Sequence, residues 1–436
     1  MRINSYHKLF SFALILLSVL SFFIGFIYGE NSAGAGTFFG DFELLWKNLQ
    51  TFINNDLSVA IGFTSNLDHE NYQSSRTPLF YIFHKYFNPF VGNKISYVRS
   101  VYFFSFLAPI LFYLCLKQKF KKEENLLLIL ITCTIFLSPY FRTSSFWGLE
   151  ENFGIISLLL SFIFLKKFLS NKDTSKDYYL LFLITFISSL CLYFDQKLAI
   201  IPLICFLQIF FSNKNFNLKI YSILFYFIFS LPYIYLITIW GSIIPSGDAS
   251  ARGIGDRLYF SHLGYASTII AFYLLPLIFY KKENFINLLK KFFKLKKNYY
   301  SISIFFIYLF YLIFFYEYES ELRLGKGFIH KTAILFFNEI IFQKIFIYFS
   351  FFVSWLIILI YLENNLKDKL IIFYFFLLSL VIWPILQEYF DPVIIIMAFT
   401  FFNSKLILNY KNSIFLFIYL STLLISSNIY YYNLLN

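Results

Sequence analysis

Two carboxylates that could do chemistry stand in the stretch GDFELLW, as Asp41 and Glu43. Apolar residues recur around them at steps of 4, 3, 4 and 3: Phe38, Phe42, Leu45, Leu49 and Phe52. This spacing predicts an amphipathic helix. Because residues in a helix turn by about 100° each, Asp41 falls at the border of the apolar face and Glu43 on the polar side. Asp41 could therefore take a proton from a hydroxyl group. The alternative is an ordinary first-turn acid that complements the helix dipole.

Basic residues in three further polar stretches could bind the phosphate of a substrate, because guanidinium groups form bidentate hydrogen bonds with phosphate. They are Arg76 in SSRTPLF, Arg252 and Arg257 in SARGIGDR, and Arg323 and Lys326 in LRLGKG. The glycines and serine around Arg252 and Arg257 permit motion, which is typical of a loop that covers a site. Arg76 could equally anchor the chain at the membrane interface.

Other polar stretches carry residues that could contact the rest of a substrate. In SPYFRTSSFWGLEENFG, Trp147 could offer a flat apolar face to a sugar ring, and Arg142 and Glu150 could contact polar groups. The alternative is a buried ion pair between Arg142 and the glutamates of the same loop. His330 follows in KGFIH, and Glu388 lies in QEYFDP, a polar break that is expected to face a cavity rather than lipid.

The sequence carries no motif of a metal or cofactor site. It has no HExxH, no Cys/His metal spacing, no GxSxG elbow and no EF-hand loop. The five histidines are scattered, and the four cysteines lie inside apolar runs without a CxxC pair. We expect no cofactor; a divalent metal ion is conceivable but not indicated.

The elements that must position these residues are membrane-spanning helices. Hydrophobic residues make up 59 % of the 436 residues and charged residues 14 %, whereas a soluble domain carries about 25 % charged residues. Continuous apolar runs near the ~20 residues that cross a bilayer recur along the chain, and an alternating β-barrel pattern is absent. We expect an all-α polytopic membrane protein, a single integral membrane domain over 1–436, with about 11–13 transmembrane helices.

Thirteen apolar runs are the candidates for these helices. They are 9–28, 97–116, 125–138, 153–168, 179–194, 198–212, 220–240, 263–280, 301–316, 344–362, 370–386, 392–404 and 413–431. With the N-terminus in the cytoplasm, the inner loops hold 22 of the 29 lysines, which is the usual bias, and six of the seven arginines lie outside. The segment 29–96 is then the first outer loop, and 281–298 is a basic amphipathic inner segment that lies against anionic headgroups.

The order of these features resembles the GT-C superfamily of membrane glycosyltransferases. An acid in an amphipathic helix after the first span (GDFELLW) is followed by an Arg/Pro turn before an aromatic helix (SRTPLFYIF), with short charged outer loops on about a dozen spans. The superfamily includes protein O-mannosyltransferases, aminoarabinose transferases and dolichyl-phosphate-glucose glucosyltransferases. The motifs cover the N-terminal third, and the rest is similar in topology alone.

The resemblance implies that Asp41, which matches the first-loop acid of the family, is the catalytic base. It also implies a polyprenyl-phosphate sugar donor, basic outer-loop residues around the phosphate, and inversion at the sugar. The second acid of the family has no match, because Glu43 points to the polar side. The acceptor would be a hydroxyl on a lipid, glycan or protein, on the outer face of a cell inner membrane or an endoplasmic-reticulum-like membrane.

Two other functions remain open. A polysaccharide polymerase or ligase also uses lipid-linked saccharides, although its longest outer loop is expected late in the chain. A flippase or transporter of lipid-linked saccharides would show two similar halves and short outer loops, and the long loop 29–96 argues against it. The net charge of +12 comes with lysines in inner loops, so we expect the lipid bilayer and no nucleic acid as its partner.

Overall fold

In a computed structural model the chain is helical in nearly every part that the structure describes. The described residues are 2–34, 41–65, 77–171, 173–241, 258–283, 285–316, 318, 325–363 and 365–435. Within these ranges the chain forms no β-strand. The all-α class predicted from the continuous apolar runs is therefore confirmed.

The chain divides into two units, of which the first contains Met1–Ala251 and Leu420–Asn436. Its helices are α1 (Arg2–Ile27), α2 (Asp41–Asn54), α3 (Leu57–Ser65), α4 (Leu79–Phe87), α5 (Lys94–Ser105), α6 (Leu107–Lys119), α7 (Asn125–Thr132), α8 (Pro139–Phe146), α9 (Glu151–Ser170), α10 (Thr174–Phe194), α11 (Ile200–Phe210) and α12 (Phe216–Trp240). Short 3₁₀ helices cover Cys133–Leu137 and Gln196–Leu198.

The second unit contains Arg252–Tyr419. Its helices are α13 (Ser261–Ile278), α14 (Phe285–Lys294), α15 (Lys296–Phe315), α16 (Gly327–Phe336), α17 (Ile340–Leu362), α18 (Leu366–Val381) and α19 (Val393–Phe399), with a 3₁₀ helix at Gln387–Tyr389. The last helix, α20 (Tyr410–Leu435), has its first ten residues in this unit and the remainder in the first.

Eight of the described helices, counting α5 and α6 as one, are long and apolar enough to cross a membrane. The number rises to ten if each of two bent helix pairs is one span, so the described residues hold fewer long apolar helices than the 11–13 spans predicted for the whole chain. In the pair 125–146 the helices meet at 69°, because Ser138 caps α8 and Pro139 begins it. The three remaining runs form the short helices α11, α18 and α19.

The long helices face two kinds of surroundings. Only four of the 25 residues of α12 are buried, so this helix exposes apolar side chains along most of its length. In α13 most residues are buried, although its composition is equally apolar. Exposed apolar side chains over a whole long helix indicate contact with lipid. The chain is therefore a multi-pass membrane protein.

Candidate functional site

The turn after α1 places an acidic residue that the sequence analysis did not select. Gly29 has a φ of +62°, a conformation that favours glycine. Its amide donates to Phe26 O (3.2 Å) and the Glu30 amide donates to Gly25 O (2.8 Å). These two bonds form the Schellman pattern that ends many helices. The sequence GFIYGE therefore ends the first span and turns Glu30 back toward it.

Glu30 forms a buried ion pair with Arg142. Arg142 Nε donates to Glu30 Oε1 (2.7 Å), and Arg142 Nη2 donates to Glu30 Oε2. The guanidinium also donates to the carbonyls of Ser21 (2.8 Å) and Phe136 (3.1 Å). The Arg142 side chain is 1 % exposed and that of Glu30 15 %. Arg142 was predicted as a substrate contact, with an ion pair to the glutamates of its own loop as the alternative. The partner in the structure lies 112 residues earlier.

The segment after Glu30 is tied to α8 and to the residue that follows α8. Trp147 Nε1 donates to Glu30 O (3.0 Å), the Ala33 amide donates to Thr143 Oγ1 (3.0 Å), and Ser32 Oγ donates to Pro139 O (3.1 Å). A Cβ atom on Gly25 would overlap the Glu30 carboxylate and the Arg142 guanidinium. The pair thus fixes the end of α1 against α8 and holds the indole of Trp147 in place.

A cleft of about 440 Å³ opens at the end of α1 and is bordered by Trp147. Its lining is largely apolar and comes from α1, the start of α2, the first turns of α5 and the end of α8. The lining residues are Phe26, Ile27, Gly29, Phe42, Lys94, Ile95, Val98, Arg99, Phe146 and Trp147. Two of them, Lys94 and Arg99, are cations. An apolar cleft with two cations and an indole suits an amphiphilic anion.

Helix α2 begins at Asp41, one residue before Phe42. Phe42 lines the cleft, and the face of α2 that contains Leu45, Leu49 and Phe52 is buried. Glu43 is exposed, whereas Asp41 is half-buried, which is the arrangement that the helical spacing predicts. Glu43 accepts a hydrogen bond from Lys94 Nζ (2.7 Å to Oε2), so the second carboxylate already interacts with a cation of the cleft.

Helix α5, which carries both cations, is held by a buried aromatic core. Tyr97 OH donates to Gly148 O (2.7 Å), in the turn between α8 and α9. The ring of His84 lies 5.0 Å from that of Tyr97 and 5.3 Å from that of Phe153. Burial lowers the pKa of His84 to about 3. His84 Nδ1 lies 2.9 Å from Asn88 Nδ2, and a neutral imidazole accepts that hydrogen bond.

In the second unit, Lys326 and His330 share one aromatic surrounding. Lys326 is buried at the start of α16, in the left-handed conformation with φ +56°. Its Nζ lies 5.6 Å from the ring centroid of Tyr265 and 5.9 Å from those of Tyr316 and Tyr318. The His330 ring lies 5.6 Å from Tyr265 and 5.7 Å from Tyr318. Cation–π attraction stabilises a lysine at such distances.

The polar break QEYFDP lies in the same unit and turns inward. Gln387 Nε2 donates to Tyr273 OH (3.0 Å), and Asp391 is buried. Glu388, the predicted substrate contact, is half-buried in the 3₁₀ helix. A polar break that packs inward agrees with the expectation that it does not face lipid.

The predicted site residues that the structure describes are thus distributed over both units. Trp147 lines the cleft of the first unit, Asp41 directly precedes the lining residue Phe42, and Glu150 is buried just before α9. Glu30, Lys94 and Arg99 were not predicted as site residues from the sequence. The flanking glycines Gly25 and Gly29 are the only signal for Glu30. Four predicted phosphate ligands lie outside the described residues: Arg76, Arg252, Arg257 and Arg323.

Comparison of the chain with protein-family models, with curated proteins and with solved structures finds no match in any of the three. Within the described ranges, no group of three His, Cys, Asp or Glu side chains comes together as metal ligands do. A function for this site must therefore be inferred from the geometry of its residues.

Proposed function

We propose that the protein is a membrane glycosyltransferase, which moves a sugar from a polyprenyl-phosphate donor to an acceptor hydroxyl with inversion at the anomeric carbon. The observation that supports this proposal is the lining of the cleft at the end of α1. A polyprenyl-phosphate sugar has an apolar chain, an anionic phosphate and a sugar ring with flat faces. The cleft offers apolar walls, two cations and the indole of Trp147, which are the matching groups.

The apolar walls suit a donor that stays in the bilayer. Ile27 and Ile95 line the cleft and are 75 % and 62 % exposed. Apolar side chains at the mouth of the cleft therefore continue into the lipid-facing sides of α1 and α5. A polyprenyl chain can reach the cleft sideways without crossing water, so the cost of exposing its hydrocarbon is avoided.

Lys94 and Arg99 are the proposed phosphate ligands of the cleft. Lys94 and its partner Glu43 are 38 % and 56 % exposed in their side chains, and such a pair is weak. Lys94 can therefore exchange Glu43 for a phosphate. Arg99 adds a guanidinium suited to two phosphate oxygens. Predicted phosphate ligands elsewhere in the chain are Arg76, Arg252, Arg257, Arg323 and Lys326.

In the proposed reaction Asp41 accepts the proton of the acceptor hydroxyl. The hydroxyl oxygen attacks the anomeric carbon from the face opposite the phosphate, and the bond to the phosphate oxygen breaks. Polyprenyl phosphate leaves, and the cations stabilise the charge that builds on it, which is usually the largest catalytic contribution. Arg142 acts through Glu30 by holding Trp147 against the sugar. The lysine bias favours the outer side of the membrane for this step.

Proteoliposomes with a labelled polyprenyl-phosphate sugar and a hydroxyl acceptor test the proposal. A transferase releases one polyprenyl phosphate for each sugar attached to the acceptor. A transporter moves the intact donor across the bilayer, and a polymerase or ligase transfers a preassembled saccharide instead. Movement of uncleaved donor without glycosylated product would refute the transferase function.

A further inference from the structure

A second pocket, in the unit Arg252–Tyr419, takes no part in the proposed transfer. It has a volume of about 360 Å³ and lies where two membrane spans end, α13 at Ile278 and α17 at Leu362. Its polar lining includes Lys281, Lys282 and Lys405 together with the side chains of Asn365 and Asn403.

One edge of the pocket is fixed by a fully buried carboxylate, Asp368. It accepts hydrogen bonds from the amides of Asn403 (2.8 Å) and Ser404 (3.1 Å) and from Ser404 Oγ (2.9 Å). Asn365 caps the helix that carries it, because its Oδ1 accepts from the Lys367 amide (3.2 Å). The segment that presents Asn403 and Lys405 is therefore in place before any ligand binds.

The inner lysine of the pocket is anchored. Lys281 Nζ donates to Tyr361 O (2.9 Å), lies 3.4 Å from Glu363 Oε1, and is 4.7 Å from the ring centroid of Tyr361. Its side chain is 8 % exposed. Burial lowers the pKa of Lys281, and the Glu363 carboxylate opposes that shift. Lys281 thus forms the buried inner wall of the pocket, and the Glu363 carboxylate compensates the charge of its ammonium group.

The remaining charges leave the pocket positive. Glu283 pairs with Lys291 (3.0 Å), so both glutamates of the lining interact with a lysine. Lys282 and Lys405 are exposed, and among the described residues neither has a carboxylate within ion-pair distance. Counted with Lys291 and Asp368, four lysines against three carboxylates give a surplus of one positive charge, and the lysines of the lining outside an ion pair are Lys282 and Lys405.

The neighbouring helix α14 indicates where the pocket lies relative to the membrane. Leu288 and Phe292 are buried and Leu288 lines the pocket, whereas Ile286 and Phe293 are exposed beside the lysines of the same helix. A short helix with exposed apolar residues among lysines lies in the membrane interface. Together with the two span ends, this places the pocket at the level of lipid headgroups.

We propose that this pocket binds the phosphate headgroup of an anionic membrane lipid, with Lys282 and Lys405 on the phosphate oxygens. Anionic lipids attract lysines at the membrane surface, and two lysines on a fixed frame add a specific contact. The interfacial depth favours a lipid over a soluble phosphate. The binding is independent of the proposed sugar transfer.

The full-length protein in neutral detergent tests this, with dioctanoyl phosphatidylglycerol, dioctanoyl phosphatidylcholine and inorganic phosphate as separate probes. Phosphatidylglycerol should bind at least about tenfold more tightly than either of the others. Lys282→Gln with Lys405→Gln should weaken its binding about tenfold or more, since two charged hydrogen bonds are lost. The single change Lys405→Glu should weaken it as well, because it places a negative charge at the phosphate.

The control removes two lysines of α14 outside the pocket, Lys290→Gln with Lys294→Gln. It should change binding less than about threefold, because screened charges away from a ligand contribute little. Equal losses in the control and in the pocket double variant would overturn the proposal in favour of general surface attraction. Unchanged binding in the pocket variants would overturn it too. Inorganic phosphate that binds as tightly as phosphatidylglycerol would contradict the lipid assignment.

Discussion

Glu30→Gln should strongly lower the free energy of unfolding of the first unit, although it changes only one oxygen of a side chain to an NH₂ group. Both oxygens of the Glu30 carboxylate accept hydrogen bonds from Arg142, whose side chain is 1 % exposed. Glutamine keeps one oxygen and turns an NH₂ group toward a guanidinium N–H. The charge of Arg142 then stays buried with the carbonyls of Ser21 and Phe136. Removal of one partner from a buried pair costs about 3–5 kcal/mol.

Glu43→Gln is the matched control, since it makes the same chemical change in the same unit. Its partner is Lys94, and both side chains are more than one-third exposed. Such a pair contributes about 0.2–1 kcal/mol. The two variants therefore differ in the burial of the ion pair and hardly in side-chain chemistry.

A thiol-reactive fluorogenic dye provides the assay. The four cysteines of the sequence are buried and all lie in the first unit: Cys115, Cys133, Cys191 and Cys205. They become reactive when this unit unfolds in detergent. For a unit of this size we expect Glu30→Gln to lower the melting temperature by roughly 6–20 °C and Glu43→Gln by about 4 °C or less. Equal shifts would refute the reasoning that the buried pair holds the end of α1.

Three further predictions concern pH, the phosphate and orientation. Since burial lowers the pKa of His84 to about 3 from the usual 6.5, the unfolded chain binds more protons between these values. The free energy of unfolding should therefore fall as the pH drops through that window, by at most about 1.4 kcal/mol per pH unit. Melting curves of His84→Asn should lose this dependence, and an unchanged slope would contradict the assignment. Arg99→Ala should weaken binding of a polyprenyl-phosphate donor by about 1–3 kcal/mol while Arg99→Lys keeps part of it; equal affinity in both variants and wild type would remove Arg99 from the site. In a protein without its native cysteines, Asn93→Cys should react with an impermeant thiol reagent on intact cells and Lys290→Cys should not, and the reverse pattern would invert the orientation.

Local spacing is enough to predict the element that carries Asp41. The steps between the apolar residues of α2 depend on the helical period alone, so the exposed Glu43 and the half-buried Asp41 follow from the sequence. The Glu30–Arg142 pair depends on a contact across 112 residues. No pattern near either residue encodes it, apart from Gly25, where a side chain would overlap the pair, and Gly29, whose left-handed conformation ends α1.

Among the described residues, hydrophobicity predicts more spans than there are long apolar helices, because burial in protein and exposure to lipid favour the same residues. All seven residues of α19 are buried, so its apolar sequence reflects packing. Helix α18 ends at Val381, soon before Pro384, which lacks the amide hydrogen that a helix requires. The run 370–386 therefore lies only in part in a helix, and that helix has 16 residues, short of a full crossing.

The transfer rate of Asp41→Asn tests whether the Asp41 carboxylate is the base that sugar transfer requires. Asparagine keeps the shape of the side chain and removes the base, so folding and donor binding should survive. Loss of a general base typically lowers the rate by about 10²–10⁴-fold. Glu43→Gln, two residues along the same helix, should keep near-normal transfer.

The measurement is sugar transfer by both variants in proteoliposomes, at matched protein levels and saturating donor. We expect a loss of about 10²-fold or more for Asp41→Asn and less than about threefold for Glu43→Gln. Near-normal transfer by Asp41→Asn, with product formed by the wild type, would contradict the assignment of the base. The acid to examine next would then be Glu150, which is buried just before α9.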